Sequence, residues 1–230
     1  FFSFILPAYK ARYLQESIAS ILSQTYSNYE LVIVNDKSPE DITQIVEKFN
    51  DHRIRYYVNE KNIGKTDLVA QWNYCLSLAR GEYVILATDD DTYEPSFLET
   101  FIPLIYAHPS IGIFRSAVIS INKSGDIIYL ENVLRPFMSQ AELLYKYMAN
   151  MVGGGIPQHI FKRDLLVKKG GFVSFPCAWG SDDATIISMA ENGIVSSSEY
   201  LVRFRWSDIN ISNDTSNATS RSKIKARLML

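Results

Sequence analysis

Tyr83-Val84-Ile85-Leu86-Ala87-Thr88-Asp89-Asp90-Asp91 is the stretch on which the fold turns. An apolar run without alternation belongs to a strand covered on both faces, as in a parallel sheet. Here it passes straight into three carboxylates. Three similar runs precede it: Phe1 to Leu6, which Pro7 is expected to end, Tyr29 to Val34, and Ile54 to Val58. Between them the apolar spacing becomes helical, at Leu14, Ile18, Ile21 and Leu22, then at Ile42, Ile45, Val46 and Phe49 behind a candidate cap at Asp41. A third helix is expected over Leu68 to Ala79, stopped by Arg80-Gly81, and a fourth over Phe97 to Tyr106, closed by Pro109. Strands and helices in strict alternation predict an α/β fold with a parallel sheet.

Beyond residue 110 the pattern changes. Gly112 to Ile121 and Asp126 to Leu130 read as a hairpin about Lys123-Ser124-Gly125. Short helices are expected over Ala141 to Met148, Asp164 to Lys169 and Ala184 to Glu191, and a last strand over Tyr200 to Trp206. Gly153-Gly154-Gly155 reads as a flexible or closely packed loop. The polar stretch from Ser207 to Ser222 reads as loop, followed by a basic, helical end. The division expected is one domain over residues 1–222, with halves at 1–110 and 111–222, and a tail over 223–230.

Bulk properties narrow the function classes. A formal charge of −2 disfavours a nucleic-acid partner, whose footprint is usually basic. Cys75 and Cys177 are too few and too far apart for a disulfide framework or a zinc knuckle. No apolar run approaches the roughly 20 residues that span a bilayer. No signal peptide is visible, so the N-x-S/T sequons at Asn122, Asn210, Asn213 and Asn217 read as accidental. A cytoplasmic setting is expected, with peripheral association at the inner face of the plasma membrane as an option.

Open α/β sheets bind ligands at the carboxyl ends of their strands. Three strands here deliver polar groups to that edge: Pro7-Ala8-Tyr9, Asn35-Asp36 and Asp89-Asp90-Asp91. A nucleoside diphosphate could use all three. The Tyr9 ring can stack on a base, Asp36 can accept from a base N–H, and the acidic cluster can hold a hard cation that neutralises the diphosphate. Acidic runs in turns are commonly only solvated. Three adjacent carboxylates directly after a buried strand nevertheless repel one another, and a cation relieves that repulsion. Gly64-Lys65-Thr66 is not the end of a P-loop, because Asn59 stands where the motif needs glycine.

FILPAY, SILSQTYSNYELVIVND, NIGK and GEYVILATDDD, in order from Ser3 to about Pro95, resemble glycosyltransferase family 2. The resemblance implies a GT-A fold: a mainly parallel central sheet flanked by helices, with a smaller antiparallel acceptor-side part. It implies nucleotide-binding roles for Pro7, Tyr9, Asp36 and Asp89, and metal roles for Asp90 and Asp91, with Mn2+ or Mg2+ as the cofactor. Three positions depart from the usual pattern. Thr88 replaces the first acid of the triplet, Lys10 an asparagine, and Asn35 the first acid of an Asp pair; the ATDD form looks more like SpsA-type members.

In the second half, FKRDLLVKKGGF and Trp179-Gly180-Ser181-Asp182-Asp183 resemble the family's acceptor-side elements. They imply that Asp183, with Asp182 as alternative, is the base that deprotonates the acceptor hydroxyl. Either carboxylate could instead cap the helix. Arg205 to Ser212 resembles a closing element in which Ser207 replaces a histidine; Arg205 could pair with the diphosphate or could be a strand-edge arginine. His159 has no partner at metal spacing and reads as structural or acceptor-facing. The implied reaction is inverting transfer from a nucleotide-sugar, most naturally a UDP-sugar, to a glycan or lipid-linked acceptor in bacterial surface polysaccharide synthesis. A sugar nucleotidyltransferase is the first alternative, although PAYKARY lacks that class's glycine-rich loop. A non-catalytic nucleotide-sugar-binding relative is the second.

Overall fold

The computed structural model describes residues 1–207, 220 and 223–226. Ten strands and seven α-helices are found among them. The strands are β1 (Phe2–Ala8), β2 (Tyr29–Asn35), β3 (Ile54–Val58), β4 (Tyr83–Leu86), β5 (Thr92–Tyr93), β6 (Ile113–Ile121), β7 (Ile127–Leu130), β8 (Phe137–Met138), β9 (His159–Lys162) and β10 (Ile194–Arg205). The helices are α1 (Leu14–Leu22), α2 (Ile42–Val46), α3 (Leu68–Leu78), α4 (Phe97–Ala107), α5 (Gln140–Met148), α6 (Arg163–Lys168) and α7 (Ser181–Met189).

All the strands join one sheet in the order β3-β2-β1-β4-β9-β6-β10-β5, with β7 against β6 and β8 against β10. The first four strands are parallel throughout. In the second part β10 runs parallel to β6, while β9, β7, β8 and β5 are antiparallel to their neighbours. The sheet is therefore mainly parallel on one side and mixed on the other, as expected. Alternate residues feed two cores. Phe4, Leu6, Leu31, Ile33 and Ile85 pack on one face, and Ile5, Val32, Val34, Val84 and Leu86 on the other. Burial on both faces explains why these strands read as unbroken apolar runs.

Several expectations are corrected. Pro7 does not end β1, which continues to Ala8 and pairs Pro7 with Val34. The Ile5 carbonyl accepts from Ala87 N in the last rung toward β4. Two residues further on, the missing N–H of Pro7 faces that side past the end of the ladder, so no rung is lost. β9 has no counterpart in the sequence pattern, since four residues are a weak periodic signal. β10 begins at Ile194, six residues before the expected start, because a bulge between Ser196 and Tyr200 breaks its alternation. α7 begins at Ser181, placing Asp182 and Asp183 inside its first turn. Asp41 caps α2 as expected, its Oδ1 accepting from Gln44 N at 3.0 Å. Of the expected polar tail, residues 208–219, 221–222 and 227–230 lie outside the described residues. So do the sequons at Asn210, Asn213 and Asn217 and most of the closing element.

Candidate active site

The ends of β1 and β4 lie side by side where the strand order reverses, the place at which open sheets form a crevice. Asp89 joins them. Its Oδ2 accepts from Tyr9 N at 3.0 Å and Lys10 N at 2.8 Å. The Tyr9 side chain is left 39 % exposed at the mouth, free of the core. Burial and the neighbouring Asp90 charge push the Asp89 carboxyl up to about 6, against the pull of the two amides. Asp90 is raised by burial, with the Lys10 ammonium pulling the other way. Asp91 is raised further by burial and by Asp90. Three carboxylates thus share a site that disfavours their combined charge, and a cation there would relieve both causes.

The triplet is not uniform. Asp91 is 1 % exposed and serves the fold: its Oδ2 accepts from Thr88 Oγ1 at 2.6 Å and its Oδ1 from Arg205 N at 2.7 Å. Thr88 also fixes the turn through its carbonyl, which accepts from Ser17 Oγ at 2.8 Å. This gives the threonine at the family's acidic position a physical task. The sequence leaves open a diphosphate partner or a strand-edge position for Arg205. It is 2 % exposed, and its guanidinium donates to Asp90 O at 3.0 Å and Glu16 Oε2 at 2.8 Å while lying 4.3 Å over the Tyr13 ring. It clamps the acidic turn from behind. Among the described residues no group of three His, Cys, Asp or Glu side chains is arranged to hold a metal. The chain's own contribution fits a cation that takes its remaining ligands from a diphosphate and water. Asp90 would hold it.

Asp36 closes the third side. It is 3 % exposed; Oδ1 accepts from Asn59 Nδ2 at 2.7 Å and Ile63 N at 2.8 Å, and Oδ2 from Gly64 N at 2.7 Å. A carboxylate has about four acceptor sites, so one remains on Oδ2 for a base N–H. A Cβ at Gly64 would come within 2.9 Å of that oxygen, which accounts for the glycine in the NIGK stretch. The same turn leads into α3, capped by Asp67, whose Oδ1 accepts from Ala70 N.

Asp182 and Asp183 stand in the other half, at the start of α7. Neither is the N-cap. Gly180 holds that position at φ 74°, and Ser181 Oγ accepts from Phe175 N at 3.0 Å. Burial raises Asp182, opposed by the amides of Asp183 and of Asp182 itself at the helix start. Lys223 Nζ lies 4.5 Å over the Trp179 ring beside this motif. His159 is buried and structural: its Nδ1 meets Gly155 O at 3.0 Å, and burial followed by the Arg115 charge pushes it down to about 3. Sequence reasoning passed over Arg115, although a charge inside the apolar run Ile113–Ile121 is a signal of a buried ion pair. Its partner is Glu131, at 2.6 Å.

A crevice at a strand-order reversal, walled by a ring, a lone carboxylate and an acidic turn, thus lies on a mixed α/β sheet that matches GT-A structures. The model of the family described as Glycosyl transferase family 2 matches residues 3–173, and the chain belongs to that family. It is 38% identical over 103 residues to the putative colanic acid biosynthesis glycosyl transferase WcaA of Escherichia coli (strain K12), covering 44% of this chain and 36% of that protein. It is 26% identical over 165 residues to the Escherichia coli UDP-Glc:alpha-D-GlcNAc-diphosphoundecaprenol beta-1,3-glucosyltransferase WfgD, covering 71% of this chain and 61% of that protein. The fold matches S. aureus TarS 1-349 in complex with UDP-GlcNAc at a TM-score of 0.76 and 22% identity, over 94% of this chain and 61% of that one. It matches the Pyrobaculum calidifontis mannosyltransferase PcManGT in complex with GDP-Man and Mn2+ at 0.61 and 21% identity, over 88% and 56%. The chain thus spans between about a third and three fifths of the length of these relatives. The chain sits in a family of glycosyltransferases, and WcaA among its relatives is named for colanic acid biosynthesis. No helix among the described residues is long and apolar enough to cross a membrane.

Proposed function

We propose that this glycosyltransferase moves a sugar from a UDP-sugar to a hydroxyl of a glycan or lipid-linked acceptor, with inversion, and that a divalent cation assists. The observation that carries the reading is the Asp89 carboxylate, which ties the ends of β1 and β4 into one crevice beside Tyr9 and Asp90. Tyr9 stacks on the base, Pro7 shapes the strand end beneath it, and Asp36 accepts from the base N–H. Asp89 faces the ribose, and Asp90 holds Mn2+ or Mg2+, which offsets the diphosphate charge. Asp91, implied as a second metal ligand by the family pattern, supports the turn instead. The donor named for WfgD and the ligand held by TarS are both UDP-sugars, which supports UDP as the nucleotide.

On the acceptor side Asp183 takes the proton of the attacking hydroxyl, with Asp182 as the alternative. The hydroxyl oxygen bonds to the anomeric carbon from the face opposite the diphosphate. The bond from that carbon to the β-phosphate oxygen breaks, and its electron pair leaves with UDP. The helix start favours a carboxylate anion, working against the burial that raises Asp182. The test is calorimetric titration of UDP with Mn2+ and with EDTA. Affinity should fall sharply in EDTA, where the diphosphate faces the carboxylates uncompensated; equal affinities would remove the metal from the reading.

A further inference from the structure

Asn59 directly follows β3 as Asp36 directly follows β2. Asn59 N donates to Asn35 O at 2.9 Å, just past the end of β3, and this bond brings the two side chains together at the sheet edge. Asn59 Nδ2 then donates to Asp36 Oδ1 at 2.7 Å and to Gln71 Oε1 at 2.8 Å. Gln71 stands at the end of the first turn of α3, and its Nε2 reaches Cys75 Sγ, one turn further on, at 3.8 Å. All four residues are buried, Asn59 being the most exposed at 7 %. Cys75 packs with Val32, Val34, Val69 and Leu76, so the chain of polar groups runs from the sheet edge into an apolar core. Burial and then the Asp36 charge raise the Cys75 thiol, which stays protonated.

Polar side chains in such a place are costly unless they satisfy one another. The direction of this chain is fixed by its outer end. A carboxylate only accepts, so Asn59 turns its NH2 toward Asp36, and Gln71 turns its carbonyl toward Asn59. The outcome at Asp36 is asymmetric. Oδ1 accepts from both Asn59 Nδ2 and Ile63 N, whereas Oδ2 accepts from Gly64 N alone. With about two acceptor sites on each oxygen, Oδ1 is full and one site is left on Oδ2.

One acceptor suits a base that offers one N–H. Uracil carries a single imide N–H between two carbonyls. Guanine presents N1–H and the N2 amino group side by side, which a carboxylate can meet with both oxygens only if each has an open site. Here Oδ1 has none, so one guanine donor would be left unpaired, at a cost. Cytosine turns a bare ring nitrogen toward the same place, acceptor against acceptor. We propose that Asn59, oriented by Gln71, is a specificity-determining positioning residue: by filling Oδ1 of Asp36 it makes the nucleotide site accept uracil and reject guanine. The proposal rests on the functional reading above for the placement of the base at Asp36.

The test uses the whole chain and two variants, Asn59→Ala and Gln71→Met. Calorimetry with Mn2+ measures the affinity for UDP, GDP and CDP. The parent should bind UDP at least about tenfold more tightly than GDP or CDP. Asn59→Ala frees a site on Oδ1, and its preference for UDP over GDP should fall at least about tenfold. Gln71→Met keeps Asn59 but removes the acceptor that orients it, so its preference should fall in the same direction by a smaller factor. A merely structural role would lower the melting temperature or weaken all three nucleotides alike. An unchanged ratio of UDP to GDP affinity in both variants therefore overturns the proposal, as does a parent that binds GDP as tightly as UDP. If Asn59→Ala does not fold, the ratio in Gln71→Met decides. A parent that binds none of the three nucleotides removes the functional reading and the proposal with it, whereas a parent that binds UDP while the ratio stays fixed in the variants removes the proposal alone.

Discussion

At the ends of β1 and β4 three carboxylates crowd one turn, each raised by burial and two of them by a neighbouring aspartate. On β6, in the other half, a buried charge is matched by one opposite charge at 2.6 Å. The parallel half concentrates three carboxylates at the sheet edge, with Lys10 and Arg205 offsetting part of their charge, and on the proposed reading a cation and a diphosphate complete the site. The mixed half settles its charge internally, and Glu131 Oε1 also accepts from Gly153 N. Unbalanced charge near an opening is a site for a ligand, whereas balanced charge beneath a loop is a support.

The base proposed on α7 is the sharpest way to break this contrast, because it is the charge of the mixed half to which the proposed function gives a chemical role. Asp183→Asn should cut transfer by about 10²–10⁴-fold, the usual worth of general-base catalysis, with UDP affinity nearly unchanged. Since Gly180 and not an aspartate is the N-cap, the fold should survive. Loss of activity in Asp182→Asn alone would reverse the two roles.

Within the acidic turn the difference between neighbours can be sharpened. Asp90→Asn should abolish the gain in UDP affinity on adding Mn2+, with little change in melting temperature. Asp91→Asn should do the opposite, since it disturbs the bonds to Thr88 and Arg205, and should cost about 1–3 kcal/mol of stability in denaturant unfolding. A metal effect lost equally in both would return Asp91 to the coordination shell.

Asp36→Ala should weaken UDP and UDP-sugar alike, by an amount corresponding to about 1–3 kcal/mol, because the contact is remote from the reacting carbon. A variant with reduced turnover at unchanged UDP affinity would contradict the base-pocket assignment. The smallest effect is expected in the mixed half, away from the site. Ser139 and Glu142 form a capping box at the start of α5, and Ser139→Ala should cost about 1 kcal/mol of stability without altering UDP binding. A change in UDP affinity there would show that the two halves are not independent.

The sequence by itself determined the alternating α/β order, the strand ends at Tyr9, Asp36 and Asp89, and the two acidic motifs. Those signals are local: a strand buried on both faces must be apolar along its whole length, and a polar residue directly after it must lie at the sheet edge. The hairpin of β6 and β7 was legible for the same reason, through its turn at Lys123-Ser124-Gly125. Only the tertiary structure showed which of the three aspartates is bonded into the fold on both oxygens. Asp90 and Asp91 are adjacent and chemically identical, and what separates them is Arg205, more than a hundred residues away, whose amide reaches Asp91. The same holds for β9, whose four residues become a strand only between β4 and β6. It holds too for Arg115, whose meaning depends on Glu131 beside it and on the glycines above. Hydrogen-bond partners supplied by distant strands leave no local pattern in the chain, so which carboxylates are tied into the fold becomes visible only when the sheet is assembled.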